Sequence, residues 1–161
     1  MLATEMLRGH HDEMRDLMQT LSRPDTDDDE RQQVLDELVG EMSLHEQIED
    51  EIFYPAMRDI SALVTVSHAE HRELDDQVAT VLRVARDPDR FATEFDVLVA
   101  AFEHHAQLEE KRMFPEVEAK VDEQLLTRLG AELAQRLNRL RASRLTRARL
   151  DAKRALLRHL P

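Results

Sequence analysis

HEQIEDEIFYP, residues 45–55, and HAQLEEKRMFP, residues 105–115, are two copies of one pattern, sixty positions apart. Each copy has a histidine, a glutamate four positions later, and an aromatic residue followed by proline. Residues four apart on an α-helix lie on the same face, one turn from each other. Each copy therefore predicts a helix that presents a histidine and a glutamate side by side.

The repeat extends well beyond these two segments. Residues 4–60 superimpose on residues 64–120 at the same shift of sixty, which places His11 on His71. Each half thus has a lone histidine and, 34 residues later, the histidine of the histidine–glutamate pair. Self-similarity at a fixed period indicates tandem structural units, so the sequence predicts two α-hairpins in series.

Hydrophobic periodicity predicts four long helices in these two hairpins. The first spans about residues 4–21. The second begins at the acidic run 25–30 and ends at about residue 54. The third and fourth span about residues 62–86 and 90–113. The acidic run and Asp87-Pro88-Asp89 provide turns and helix caps. With only 3 glycines and 5 prolines in 161 residues, the sequence predicts an all-α protein in which residues 1–120 form an up-and-down four-helix bundle.

A basic segment follows the predicted bundle. From Asp122 onward it places leucines on one side of an arginine-rich helix, namely Leu126, Leu129, Leu133, Leu137 and Leu140. We predict that residues 121–161 form a single amphipathic helix that packs on the bundle through these leucines, with its arginines facing acidic residues. The alternative is a helix that binds a protein partner or a membrane surface.

Charge is distributed unevenly along the chain. Residues 1–119 carry 11 basic and 30 acidic residues, a balance of −19, whereas residues 120–161 carry 11 basic and 4 acidic residues, a balance of +7. An acidic body argues against nucleic-acid binding, which requires clustered lysine and arginine. The chain has no cysteine and no apolar run long enough to cross a bilayer. We therefore expect a cytoplasmic protein without a nucleic-acid or membrane partner.

The repeated histidines and glutamates all fall within the apolar stripes of their predicted helices. An ionised glutamate buried alone would cost several kcal/mol, so Glu49 and Glu109 require neutralisation. In dimetal helical bundles, inward-facing glutamates and histidines hold two cations about 3.5–4 Å apart. Nitrogen and oxygen ligands without sulfur suit iron, manganese or zinc. The alternative is a set of structural His–Glu ion pairs, which does not explain why both halves retain the same residues.

Four further histidines do not recur at the shift of sixty. They are more typical of surface or hydrogen-bonded core positions, and they are His10, His68, His104 and His159. Because His10 and His104 each adjoin a repeated histidine, they are better candidates for hydrogen bonding to a ligand than for ligation.

As a set, these motifs resemble the hemerythrin-like, or HHE cation-binding, family. The resemblance covers about residues 4–120, and stand-alone mycobacterial members are the most similar in organisation. It implies two oxo- or hydroxo-bridged iron ions, with manganese or zinc as alternatives. The metal ligands that it implies are His11, His45, Glu49, His71, His105 and Glu109.

The sequence departs from the oxygen-carrying hemerythrins at a further ligand. Those proteins have another histidine one turn from the first on the third helix, where this chain has Ser67 and Asp75. They also have an aspartate five residues after the last histidine, where this chain has Glu110, one residue beyond Glu109. The candidates for the seventh ligand are Tyr54, Glu46, His68 and Asp75.

Tyr54 is the candidate with a chemical argument, because a phenolate is a good ligand for Fe(III). Pro55 cannot continue a regular helix without a clash, so the last turn can open and move the phenol toward the metals. Ideal helical spacing favours Phe53 over Tyr54, since Phe53 lies four residues after Glu49.

Three functions remain open at this point. The first is an enzyme that decomposes hydrogen peroxide, a catalase-like oxidoreductase acting against oxidative stress. The second is a module that binds or senses dioxygen, nitric oxide or iron without turnover. The third is an iron-handling or interaction protein, in which the metals are structural and the C-terminal helix binds a protein partner.

Overall fold

The computed structural model describes residues 1–23 and 27–159, with the backbone alone for residues 144–146 and 157–159. All regular structure in these residues is helical, which confirms the all-α prediction. The helices are α1 (Ala3–Leu21), α2 (Asp28–Ile48), α3 (Tyr54–Met57), α4 (Leu63–Val84), α5 (Pro88–Leu108), α6 (Phe114–Lys120), α7 (Glu123–Ala142) and α8 (Arg144–His159).

The helices pack as two hairpins, α1 against α2 and α4 against α5. Acidic caps begin the second helix of each. The Asp27 carboxylate accepts a hydrogen bond from the backbone N–H of Glu30 at 2.8 Å, and Asp87 accepts one from the N–H of Arg90 at 3.2 Å. Residues 25 and 26 of the expected acidic cap lie outside the described residues.

A π-helical turn follows α2 and another follows α5, at equivalent places in the repeat. The first π turn is Glu49–Phe53 and the second is Glu109–Met113. The backbone N–H of Tyr54 donates to the carbonyl of Glu49, five residues back. A proline comes next in each half and has no N–H to donate. Because a π turn brings residues five apart onto one face, the expectation that Phe53 lies in line with Glu49 is wrong here, and Tyr54 takes that place.

The buried side chains form two clusters, one on each side of the repeated histidines and glutamates. One cluster joins the π-turn ends of the hairpins to α7 and includes Ile48, Phe53 and Phe114. The other fills the opposite half and includes Met14, Leu74 and Phe102. Burial of each apolar side chain of this size stabilises the folded state by about 1.5–3 kcal/mol. The polar cluster therefore lies between two well-packed apolar clusters that exclude water.

The C-terminal segment differs from the single helix that the sequence predicts, because it is interrupted at Ser143. Helix α7 packs mainly on α1, and α8 packs mainly on α4. The predicted leucine stripe of α7 is buried, at Leu126, Leu129, Leu133, Leu137 and Leu140. Gly130 permits close packing of α7 on the chain start, since a Cβ there would come within 2.5 Å of the Met1 carbonyl.

Basic side chains of the C-terminal helices pair with acidic residues of the hairpins. Arg141 contacts Glu41 at 2.7 Å and Glu13 at 2.6 Å, and Lys153 contacts Asp75 at 2.7 Å. Within the described residues, no helix combines the length and hydropathy that crossing a membrane requires.

Candidate metal centre

The six repeated residues lie together in the interior, between the two buried clusters. Helices α1 and α4 contribute His11 and His71, α2 and α5 contribute His45 and His105, and each π turn contributes its first residue, Glu49 or Glu109. None of these residues is more than 5% exposed. Both glutamates are completely buried, as their apolar helix stripes predict.

The ring nitrogens and carboxylate oxygens converge on a small volume. The Nε2 atoms of His11 and His45 are 2.9 Å apart. Glu49 Oε2 lies 3.2 Å from His71 Nε2 and 3.4 Å from His45 Nε2. Glu109 Oε2 lies 3.5 Å from His11 Nε2 and 3.8 Å from His105 Nε2. The cluster thus joins donors from both hairpins.

The outward-facing Nδ1 atom of each histidine meets a polar side chain. Three of these contacts are within hydrogen-bonding distance, at 2.8 Å from His11 to Glu110, 3.1 Å from His105 to Glu70 and 3.2 Å from His45 to Nδ1 of His10. His71 Nδ1 lies 3.6 Å from Asp50, which is too long for a hydrogen bond, and has no hydrogen-bond partner among the described residues. His10 in turn contacts Glu41 through Nε2 at 2.9 Å. A carboxylate beside Nδ1 favours the tautomer that carries its proton there, which leaves the Nε2 lone pair facing inward.

This tautomer pattern is favourable only with positive charge at the centre. Without it, the inward lone pairs of His11 and His45 would face each other at 2.9 Å. Two imidazoles bound at right angles to one ion, each about 2.1 Å from it, have nitrogens about 3 Å apart. Three further inward atoms are buried acceptors with no hydrogen-bond partner, Glu49 Oε1, Glu109 Oε2 and His105 Nε2. The donor set fits a metal centre.

The titration of the cluster without metal is consistent with this fit. Burial alone would lower the pKa of His11, but the Glu109 and Glu110 carboxylates raise this pKa to about 9. Burial also opposes protonation of His71, whereas Asp50 and Glu49 raise its pKa to about 11. Burial and the charge of Glu109 raise the pKa of Glu49. Protons therefore occupy the metal-free cluster, and a bound cation would displace them.

Tyr54 places its hydroxyl oxygen within this cluster. The hydroxyl donates to Glu109 Oε1 at 2.6 Å, and its oxygen lies 3.1 Å from Glu49 Oε2 and 3.2 Å from His71 Nε2. Burial and the two carboxylates raise the pKa of Tyr54 well above its ordinary value, so the phenol keeps its proton unless a cation compensates. In the other half, the equivalent Phe114 ring stacks on His11 with a centroid separation of 6.2 Å.

The other candidates for the seventh ligand lie farther from the centre of the cluster than the Tyr54 hydroxyl does. His68 is exposed and contacts Asp50 at 2.9 Å, whereas Asp75 contacts Lys153. Glu46 lines a small cavity beside the cluster, and burial together with the charge of Asp75 raises its pKa to about 8. His104 lies at the surface, 3.3 Å from Glu70, and the side chain of His159 lies outside the described ones.

The cavity beside the cluster is narrow and mostly apolar. Its volume is about 10 Å³, and its apolar wall consists of Met14, Met42, Leu74 and Phe102. A space of this size holds about one water molecule. The inner wall is formed by His45, His71 and His105, so a molecule in the cavity would lie directly against the proposed ligands.

The sequence interpretation missed most of the residues that orient the histidines, although the repeat contained a signal for them. A shift of sixty relates Asp50 to Glu110, and each of these acids contacts the first histidine of the opposite hairpin. The same shift relates His10 to Glu70, and each contacts the second histidine of its own hairpin. Glu41, which holds His10, has no acidic counterpart, because Ala101 occupies the related position.

Family comparison agrees with this geometry. The hemerythrin HHE cation binding domain matches residues 2–117 and also residues 68–160. The chain belongs to this family. Two relatives, the uncharacterized protein Rv2633c of Mycobacterium tuberculosis and its Mycobacterium bovis counterpart, are each 33% identical over 98% of both chains. The crystal structure of a hemerythrin HHE cation binding domain-containing protein from Mycobacterium kansasii, a homolog of Rv2633c, matches with a TM-score of 0.85, 34% identity and 99% of both chains covered.

The HHE assignment confirms the resemblance deduced from the repeat, including its mycobacterial character. Because the relatives match over nearly the whole length, the similarity includes the C-terminal segment as well as the hairpins. Hemerythrin-type domains bind metal ions, typically iron, and the buried histidine and glutamate cluster fits that role.

Proposed function

We propose that this chain is a di-iron protein that decomposes hydrogen peroxide. The hairpins, arranged as an up-and-down bundle, hold two iron ions through Tyr54 and the six repeated residues His11, His45, Glu49, His71, His105 and Glu109. The net reaction converts two molecules of hydrogen peroxide into two of water and one of dioxygen. A pair of iron ions, when bound, supplies the two-electron redox exchange that this reaction requires.

The position of Tyr54 is the observation that carries the proposal. Its oxygen lies among Glu49, Glu109 and His71, where oxygen-carrying members of the family are expected to use other ligands. An anionic oxygen ligand stabilises the ferric state and so disfavours reversible oxygen binding. Turnover of peroxide is compatible with a stabilised ferric state, because peroxide can act as either oxidant or reductant.

The protein surroundings suit a small, uncharged substrate. The apolar wall beside the histidines excludes bulk water, and the narrow cavity admits only small molecules. The carboxylates at the Nδ1 atoms fix the imidazole orientations through a reaction cycle. Asp50, which is 39% exposed at its side chain, lies 3.6 Å from His71 Nδ1 and so lies between a ligand and solvent.

The proposal is tested by measuring oxygen release from hydrogen peroxide. Protein loaded with two irons per chain should release one dioxygen for every two peroxides consumed. Glu49→Ala and His105→Ala should abolish the activity, whereas His104→Ala, at the exposed neighbour of His105, should retain it. Full activity in both ligand variants, or none in the iron-loaded wild type, would exclude the enzyme.

The second candidate is a module that binds dioxygen or nitric oxide without turnover. The small cavity supports this function, because a molecule in it would lie directly against the three histidines of its inner wall. A visible absorption band that appears in air and disappears under anaerobic conditions, without oxygen release from peroxide, would favour this function over the first.

A further inference from the structure

A second and larger cavity lies between α2, α7 and α8. Its volume is about 400 Å³, within the range of small-molecule binding sites. The lining includes Arg136 and Arg139 of α7 and Arg149 and Lys153 of α8. No aspartate or glutamate belongs to the lining in the described part of the chain. Four cationic side chains therefore surround a cavity that has no acidic wall.

Only two of these four cations have an acidic partner at the edge of the cavity. Arg136 pairs with Glu51 at 2.8 Å and Lys153 pairs with Asp75 at 2.7 Å. Arg139 and Arg149 have no acidic partner among the described side chains. A protein with a net charge of −12 offers many carboxylates, so this local excess of two positive charges is notable. Like charges that share one cavity repel each other, and an anion between them would reverse that cost.

The remaining polar wall of the cavity also favours an anion. Ser43 of α2 belongs to the lining and can donate a hydrogen bond through its hydroxyl, whereas Gln47 already donates to Glu51 at 2.7 Å. Helix α8 begins at Arg144, so its positive end lies at the same edge. The partial positive charge at this helix end attracts an anion less strongly than the four cationic side chains do, but it acts in the same direction.

The floor of the cavity is apolar. Each of the three helices contributes one leucine, and these are Leu44, Leu140 and Leu150. Leu44 and Leu140 are already buried, so Leu150, which is partly exposed, offers most of the apolar surface that a bare inorganic anion would leave uncovered. An organic group attached to the anion would cover it and would gain the free energy of burying apolar surface.

We propose that this cavity binds a small organic anion with two or more phosphate groups, of the size of a nucleoside diphosphate. The two arginines without acidic partners bind the phosphates, since a guanidinium donates two parallel hydrogen bonds to a phosphate. The leucines contact the organic part. The ligand bridges α8 and the outer face of α2, so its binding holds α8 against the hairpins. The inference does not depend on peroxide chemistry at the metal centre.

The test is calorimetric titration of the metal-loaded protein with adenosine diphosphate and, separately, with inorganic pyrophosphate. Arg139→Ala/Arg149→Ala should weaken adenosine diphosphate binding at least about tenfold, since a hydrogen bond to a charged group contributes about 1.5–3 kcal/mol. The matched control is Arg128→Ala/Arg147→Ala, which removes the same charge from the same two helices outside the cavity lining. It should weaken binding less than about twofold.

Several results would overturn the proposal. They are absence of binding by both anions, equal weakening in both double variants, and binding to phosphatidylglycerol vesicles alone. The single variants Arg139→Ala and Arg149→Ala should each show part of the loss, so the result does not depend on the folding of one double variant. The iron content of every sample is measured after titration. An anion that removed iron from the protein would change the measured heat equally in both double variants.

Discussion

The phenol oxygen of Tyr54 lies 2.6 Å from Oε1 of Glu109, so the single tyrosine of the chain connects the two hairpins inside the metal cluster. Tyr54 belongs to the first hairpin and Glu109 to the second. The contact depends on the first π turn, which brings the phenol onto the face that carries Glu49.

Tyr54→Phe removes the oxygen and leaves the ring. We expect two irons per chain to remain, because six ligands are unchanged, but the phenolate-to-iron charge-transfer band should disappear. Oxygen release from peroxide should fall at least about tenfold, the loss of one charge-stabilising interaction. The visible spectrum and an oxygen electrode measure both effects. A band that persists in the variant would show that Tyr54 is not a ligand.

Glu49→Gln should reduce iron binding at least about a hundredfold, since an anionic ligand of a buried cation is replaced by a neutral one. Glu51→Gln is the matched control, because Glu51 lies on the same π turn but is paired with Arg136 at the surface. Competition with a chelator measures both affinities. Comparable losses in the two variants would indicate a general effect on the turn instead of lost ligation.

His10→Ala should weaken iron binding about 10–100-fold, because His10 orients His45 through their Nδ1 contact. His104→Ala is the matched change, since His104 also precedes a ligand histidine but lies at the surface. It should alter the affinity little. If the two variants behave alike, the contact between His10 and His45 has no role in ligand orientation.

The narrow cavity predicts selectivity for hydrogen peroxide. Tert-butyl hydroperoxide should react at least about tenfold more slowly with the wild type, because its organic group does not fit beside the histidines. Met42→Ala enlarges the cavity and should reduce that ratio, at a stability cost of about 2–5 kcal/mol. Initial rates with the two peroxides provide the measurement. An unchanged ratio in this variant would place the entry route elsewhere.

The lowered pKa of Glu110 predicts how the stability of the metal-free fold changes with pH. Burial opposes its ionisation, but His11 and Arg15 lower its pKa from 4.5 to about 2. A carboxylate with a lowered pKa in the folded state stabilises the fold above its unfolded pKa, and this contribution is lost as pH falls from about 4.5 toward 2. Metal-free Glu110→Gln should therefore be less stable than the wild type at pH 7, and the difference should shrink below pH 4.5. Denaturant unfolding at several pH values measures it, with the exposed Glu37→Gln as control.

The spacing of the six repeated residues along the sequence was sufficient to predict that they lie together. Helical periodicity is local, so a histidine and a glutamate four apart share a face wherever the helix is placed. The position of Tyr54 was not predictable from that rule, because the π turn adds one residue to the helical repeat ahead of Pro55. The break at Ser143 had no proline or glycine to indicate it.

The residues that orient the histidines depend on contacts between helices, which spacing within one helix does not specify. The repeat still contained part of this information. Asp50 and Glu110 are equivalent acids, and each reaches across to the opposite hairpin. Glu41 is different, since its role depends on His10 and on Arg141 from the C-terminal segment.

The two π turns have a consequence for recognising related sites in other chains. Glutamate and proline are six positions apart in both halves, at Glu49 and Pro55 and at Glu109 and Pro115. In an unbroken α-helix, where each residue advances about 100°, Tyr54 would lie about 140° around the axis from Glu49, turned away from the ligands. A five-residue step from glutamate to tyrosine therefore marks such a site only where a π turn forms before the proline, because the same residues in an unbroken α-helix could not place an oxygen where Tyr54 does.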